Sequence, residues 1–171
     1  VETGKEITPA LIDEMRPDAV VLATGMVPIV PDIAGIRKGN VVTAHDVLSG
    51  KVKVGSKVVV LGGSLVGCET RQEGDNHRSP SRDCSEGHPL ARPLLLNRLH
   101  TKQVAMLSGV QHEEITEQGV VITNREGQSQ IIEAETIVLA VGARPNRTLL
   151  NELKGRVPEI HLAGDCVERA I

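Results

Sequence analysis

The segment with the most chemical content is Gly62-Gly63-Ser64-Leu65-Val66-Gly67, because it follows directly on the aliphatic run Lys57-Val58-Val59-Val60-Leu61. A strand buried on both faces that turns through glycine into a helix brings backbone N–H groups close to an anionic ligand. In such a fingerprint the first glycine makes the tight turn, the second admits the pyrophosphate, and the third lets helix and strand pack closely. Gly62 and Gly67 take the first and third places. Ser64 takes the second, where its Cβ crowds a pyrophosphate or its hydroxyl donates to one. Three more aliphatic runs end in the same way: 18–24 at Ala23-Thr24-Gly25, 136–141 at Gly142-Ala143-Arg144-Pro145-Asn146, and Ile160-His161-Leu162 at Ala163-Gly164-Asp165. Four such ends in this order point to a site for one or two nucleotides.

Other reactive side chains carry less. Glu69, two residues after Gly67 in the helix that follows, stays near the glycine turn and joins the candidate cofactor-binding residues, and its neighbour Cys68 reads as a small core residue. The carboxylate that would hold an adenine-ribose hydroxyl belongs about 20 residues beyond the first glycine. Asp83 is nearest by count and reads as a solvated loop carboxylate, so NAD and NADP are not separable from sequence. Asp165 either accepts hydrogen bonds from sugar hydroxyls or caps the turn that follows it. His77 and His88, with Cys84 and Asp83, match no metal-ligand spacing, and no residue stands out as a catalytic acid, base or nucleophile.

The remaining composition bounds the class. The chain has 171 residues, 40% hydrophobic and 24% charged, with net charge −3; it can bury a core, and it lacks the basic stripe of a nucleic-acid surface. No apolar run approaches the ~18 residues of a membrane span. Three cysteines without C-x-x-C spacing suit a reducing, cytoplasmic compartment. Phe, Tyr and Trp are all absent, so packing rests on Val, Ile, Leu and Ala. The first residues show neither an initiator methionine nor a signal-peptide core, and the chain reads as a fragment of something longer.

These motifs need elements to position them. Thr8 and Pro9 predict a capped helix to Met15, followed by a strand over 18–24 and an extended linker over 26–39. Thr43 and Gly50 bound a short helix. The strand 57–61, the glycine turn and a helix from Leu65 open a βαβ unit. Residues 71–88 then contain no aliphatic residue, a composition from which no buried parallel strand is expected. A leucine-rich helix over 90–99 follows, then strands at 104–107, 111–116, 119–123 and 130–134, with a hairpin turn at Asn124-Arg125-Glu126-Gly127. The fold class is α/β, Rossmann-like, with a parallel sheet and a small antiparallel hairpin insertion.

Taken together, DAVVLATG at 18–25, VVTAHDVLSG at 41–50, KVVVLGGSLVGCET at 57–70, PLARPLLLNRL at 89–99, ETIVLAVGARPN at 135–146 and HLAGDCVE at 161–168 resemble the C-terminal part of the 2,4-dienoyl-CoA reductase, enoate reductase and trimethylamine dehydrogenase group, larger relatives of the old yellow enzymes. The resemblance implies a flavoprotein oxidoreductase that passes hydride from NAD(P)H to FAD. It implies that 1–40 and 136–171 are parts of an FAD-type domain, with Ala23, Thr24, Gly25, Gly164 and Asp165 at the flavin. It implies that 41–135 is an NAD(P)-binding domain with a degenerate polar segment at 71–88, and it assigns Gly62 to Gly67 and Gly142 to the nicotinamide nucleotide. The group's FMN barrel and iron-sulfur cluster would lie upstream of this chain and partner it. Two other readings stay open: a non-catalytic ADP- or NAD-binding module, and a degenerate gene fragment.

Overall fold

The structure, a computed structural model, describes residues 1–62, 77–79, 91–102 and 104–167. It divides into two compact units, Val1–Val27 with Ala143–Ile171, and Pro28–Gly142. The second is wider at both ends than the 41–135 expected from sequence.

In unit 2 the strands β3 (Val41–Thr43), β4 (Val58–Leu61), β5 (His77–Ser79), β6 (Ala105–Met106) and β10 (Thr136–Leu139) form one sheet in the order β3-β10-β4-β5-β6, parallel throughout. β4 and β10 are buried along their whole length. Alternation along the pleat gives each face its own core. Val59, Leu61, Ile137 and Leu139 pack with Ile115, Val120, Ile122 and Ile132 of a three-stranded antiparallel sheet. That sheet is β7 (Gln111–Thr116), β8 (Gly119–Thr123) and β9 (Ser129–Glu133), with a bulge between His112 and Glu114. Asn124 Oδ1 accepts the N–H groups of Glu126 and Gln128 and closes the expected hairpin turn. Val58, Val60, Val138 and Ala140 pack on the opposite face against Ala44 and Val47 of α2 (Ala44–Leu48). Thr43 caps α2 by accepting from Asp46 N at 3.1 Å and donating to its carboxylate at 2.7 Å.

Two expectations need correction. Residues 71–88 do contribute a parallel strand: His77 and Arg78 pair with Val58 and Val59, and Arg78 and Ser79 pair with Ala105 and Met106. The ladder is made by main-chain N–H and C=O groups, which a three-residue strand supplies whatever its side chains. The linker over 26–39 is not wholly free of elements either. β2 (Met26–Pro28) pairs with β11 (Ala143–Pro145), and Ala34 bridges to Glu114, with Ile115 N donating to Ala34 O at 2.7 Å. The leucine-rich helix, α3, spans Ala91–Thr101 and buries Leu99 fully.

Unit 1 holds a two-stranded parallel sheet of β1 (Ala19–Leu22) and β12 (Glu159–Leu162). Ile12 of α1 (Pro9–Met15), Leu22 of β1, and Leu153 of α4 (Thr148–Leu153) form its core with Val157. Helix α1 starts as its sequence predicts, with Thr8 accepting from Leu11 N and Pro9 in the first turn.

Candidate functional site

Each unit has its own candidate nucleotide site at the carboxyl ends of parallel strands. In unit 2, β4 lies between β10 and β5, so the sheet branches to both sides of it. The crevice outside strand ends at such a branch is where open α/β sheets take ligands. Gly62 leaves β4 at φ +116°, and a Cβ there would stand 2.2 Å from Ala140 O and 2.5 Å from Ala140 C. Ala140 N donates to Leu61 O at 2.7 Å, which holds the two strand ends at that spacing. Gly142 follows at φ +112°, with only Ile29 Cδ1 among the described residues within 4 Å of an added Cβ, and its carbonyl accepts from Ile29 N at 2.9 Å. Gly63, Ser64, Leu65, Val66, Gly67 and Glu69 lie outside the described residues, as do Cys68, Asp83, Cys84 and His88.

The loop entering β4 is fixed by Glu135, whose carboxylate accepts Ser56 N at 2.7 Å and Ser56 Oγ at 3.1 Å. These bonds, the backbone one first, hold Glu135 below the usual glutamate range.

In unit 1, Leu22 and Leu162 stand in register at the strand ends, with Ala23-Thr24-Gly25 and Ala163-Gly164-Asp165 beyond them. Gly25 and Gly164 adopt left-handed backbone, φ +66° and +69°, and among the described residues no atom lies within 4 Å of an added Cβ on either. Ala23, Thr24 and Asp165 are exposed. Both turns therefore face open space with a carboxylate at its edge, which suits a hydroxyl-bearing ligand.

What holds these turns was not singled out in the sequence. Thr24 Oγ1 donates to Asn146 O at 2.6 Å, and Asn146 N donates to Gly25 O at 2.9 Å. Cys166, fully buried, directs its thiol at Leu22 O and Ala163 O, both at 3.1 Å. Burial pushes that thiol up, while hydrogen bonds led by the Thr24 backbone pull it down and leave it below the ordinary thiol range. Arg147 Nε donates to Cys166 O at 3.3 Å and its Nη2 donates to Val167 O. The one available signal was proximity in the chain: Asn146 and Arg147 close the run that begins at Gly142.

No three His, Cys, Asp or Glu side chains gather as metal ligands among the described residues. No helix among them is long and apolar enough to cross a membrane.

Comparison with known proteins agrees with this geometry. The family described as pyridine nucleotide-disulphide oxidoreductase matches residues 9–171. An NADH oxidase of Thermoanaerobacter brockii is 32% identical over 177 residues, covering 96% of this chain and 27% of the oxidase. A cinnamate reductase of Clostridium sporogenes is 32% identical over 169 residues, covering 90% of this chain and 24% of the reductase. The structure of 2-naphthoyl-CoA reductase in complex with 2-naphthoyl-CoA superposes with a TM-score of 0.88 at 28% identity, over 97% of this chain and 26% of that one. The chain thus spans about a quarter of the length of these relatives. From Pro9 onward, this chain belongs to the pyridine nucleotide-disulphide oxidoreductase family.

Proposed function

We propose that the chain is the nucleotide-binding portion of an NAD(P)H:flavin oxidoreductase, in which unit 2 holds the nicotinamide nucleotide and unit 1 holds part of FAD. The observation that carries this reading is Gly62. It ends β4 at the branch of a parallel sheet, where main chain rather than a side chain is required. In unit 1 the open turns at Gly25 and Gly164, with the Asp165 carboxylate, fit the hydroxylated chain of a flavin nucleotide. Among the described residues neither unit offers a side chain placed as acid or base.

When bound, the cofactors supply the hydride donor and acceptor. The chain's part is binding and orientation. Gly62 leaves room for the backbone of β10, Asp165 accepts from hydroxyl groups, and the Thr24–Asn146 and Arg147–Cys166 contacts keep the flavin-side turns in place. The relatives named as cinnamate and 2-naphthoyl-CoA reductases support an enoyl-type or related conjugated acceptor for the whole protein, and the motif resemblance alone suggests an FMN-bearing part that passes electrons on. A cytoplasmic setting suits an odd number of cysteines without C-x-x-C spacing.

Titration of the purified chain with NADH and NADPH, followed by nicotinamide fluorescence, tests the assignment. Saturable binding that is lost in Gly62→Val but kept in Gly25→Ala supports it. Binding untouched by Gly62→Val would place the nucleotide elsewhere.

A further inference from the structure

The antiparallel sheet of unit 2, in the order β7-β8-β9, has two edges, and they are built differently. On the β7 side Ala34 bridges to Glu114, Ile115 N donates to Ala34 O, and a bulge interrupts the strand between His112 and Glu114. On the β9 side no further strand follows among the described residues. β9 reads Ser129-Gln130-Ile131-Ile132-Glu133 and pairs with β8 without a shift. It has none of the prolines, lysines or bulges that keep an edge strand from pairing with another chain.

The register fixes which main-chain groups face that edge. Asn124 N donates to Gln128 O and Ala134 N to Gln118 O, both at 3.0 Å, so the opposed pairs at the two ends of the ladder are hydrogen-bonded ones. Bonded and non-bonded pairs alternate along an antiparallel ladder. Ile122 with Gln130 and Val120 with Ile132 are therefore bonded pairs, and Thr123 with Ser129 and Val121 with Ile131 are non-bonded ones. Ser129 and Ile131 thus turn their N–H and C=O away from β8. Ile131 is 49% exposed on the face it shares with Val121, whereas Ile132 is buried in the core on the other face.

We propose that β9 pairs antiparallel with β9 of a second copy of this chain, about a two-fold axis at Ile131, so that two three-stranded sheets become one of six strands. The N–H and C=O of Ile131 exchange two hydrogen bonds with Ile131 of the second copy. Ile131 then lies across from its own copy with a Val121 on either side, and four aliphatic side chains join on one face. Charge permits the match: Glu133 is the one charged residue of β9, it comes opposite Ser129 instead of another carboxylate, and Lys57 pairs with it at 2.8 Å. That self-complementarity favours a second copy over an unrelated strand, and a two-fold contact of this kind closes at two chains.

The test is light scattering of the full chain over a concentration series, with amide exchange followed by NMR. The mass is expected to rise toward twice that of the monomer. Exchange at Ile131 N–H should slow over the same range, while Gln130 and Ile132, bonded to β8, stay protected throughout. Ile131→Pro deletes the donor at the edge and spares the ladder to β8, and Ile131→Lys sets two cations across the axis. Both variants should stay at monomer mass with Ile132 N–H still protected; if either unfolds, exchange at Ile131 in the wild type decides. A wild-type monomer at every concentration overturns the proposal and leaves the edge to a different strand. A dimer that survives both substitutions, or that forms with Ile131 exchange unchanged, overturns it by placing the interface elsewhere.

Discussion

The carbonyl oxygen of Ala140 lies 2.2 Å from the point that a Cβ on Gly62 would occupy, and Ala140 N donates to Leu61 O beside it. The end of β10 is thus built against a missing side chain at the end of β4. Neither strand can retreat without breaking the ladder that joins Val58–Leu61 to Thr136–Leu139.

Gly62→Ala must therefore displace main chain and also hold alanine at φ +116°. Overpacking against backbone costs about 1–3 kcal/mol, and the sparsely allowed conformation about 1–3 kcal/mol more. Gly25→Ala is the matched control, since its φ of +66° is left-handed but no atom of the described residues lies within 4 Å of an added Cβ; there only about 1–2 kcal/mol is at stake. Urea unfolding of the two variants reads the difference. Equal midpoints would sink the close-approach argument.

Much of this was visible in the residues themselves. The β-branched runs at 57–61 and 136–141 mark strands buried on both faces because only such a strand tolerates apolar residues at every position. The α1 cap, the Thr43 cap and the Asn124 turn are local hydrogen-bond chemistry, legible within a few residues. β5 was not legible, since composition reports the side chains a strand buries and three residues of main-chain pairing leave no trace there. Nor was the contact of Thr24 with Asn146, which joins positions 122 residues apart in the chain. Thr136–Leu139 reads in sequence as the start of the last glycine-ended segment, and its strand pairs with β3 and β4 of unit 2, partners far away in the chain.

Arg147 is expected to govern local order around Asp165. Its guanidinium holds the carbonyls of Cys166 and Val167, the two residues that follow Asp165. Arg147→Ala should raise amide exchange at Val167, whose N–H donates to Gly164 O at 3.0 Å, and leave Arg16 N, bonded to Ile12 O in α1, as protected as before. Exchange read by NMR or mass spectrometry checks this. Unchanged protection of Val167 would show that Cys166 alone fixes the turn.

Acid should weaken unit 2 in two stages. His112 Nε2 is buried with no hydrogen-bond partner among the described residues, and burial lowers its pKa from 6.5. The unfolded chain then binds more protons, so the stability present above pH 6.5 declines as pH falls through the lower folded value. Glu135, held below 4.5 by Ser56, gives the same sign at lower pH: its contribution is complete above about 4.5 and is lost as pH falls through the folded pKa. Urea midpoints measured from pH 7.5 down to pH 3 should show both losses. His112→Leu should flatten only the upper one and Glu135→Gln only the lower. A profile unaltered in both variants would assign the acid response to other groups.

The last prediction concerns flavin. Unit 1 presents glycine turns at Gly25 and Gly164 with the exposed Asp165 carboxylate beside the second, but Gly25 leads into the strand β2 and Gly164 into a single 3-10 turn, Gly164–Cys166. Among the described residues neither turn opens a helix long enough to set a row of N–H groups and a dipole against a pyrophosphate, which is among the larger contributions to dinucleotide binding. Hydrogen bonds from sugar hydroxyls to the Asp165 carboxylate would contribute about 1.5–3 kcal/mol, against about 8 kcal/mol for micromolar affinity. The purified chain should therefore come off gel filtration colourless after incubation with FAD, while unit 2 still binds nicotinamide nucleotide. Absorbance in the flavin bands after the column is the measurement. A yellow protein with stoichiometric FAD, turned colourless by Asp165→Ala, would mean that the flavin site in this chain is already complete and that Asp165 dominates it.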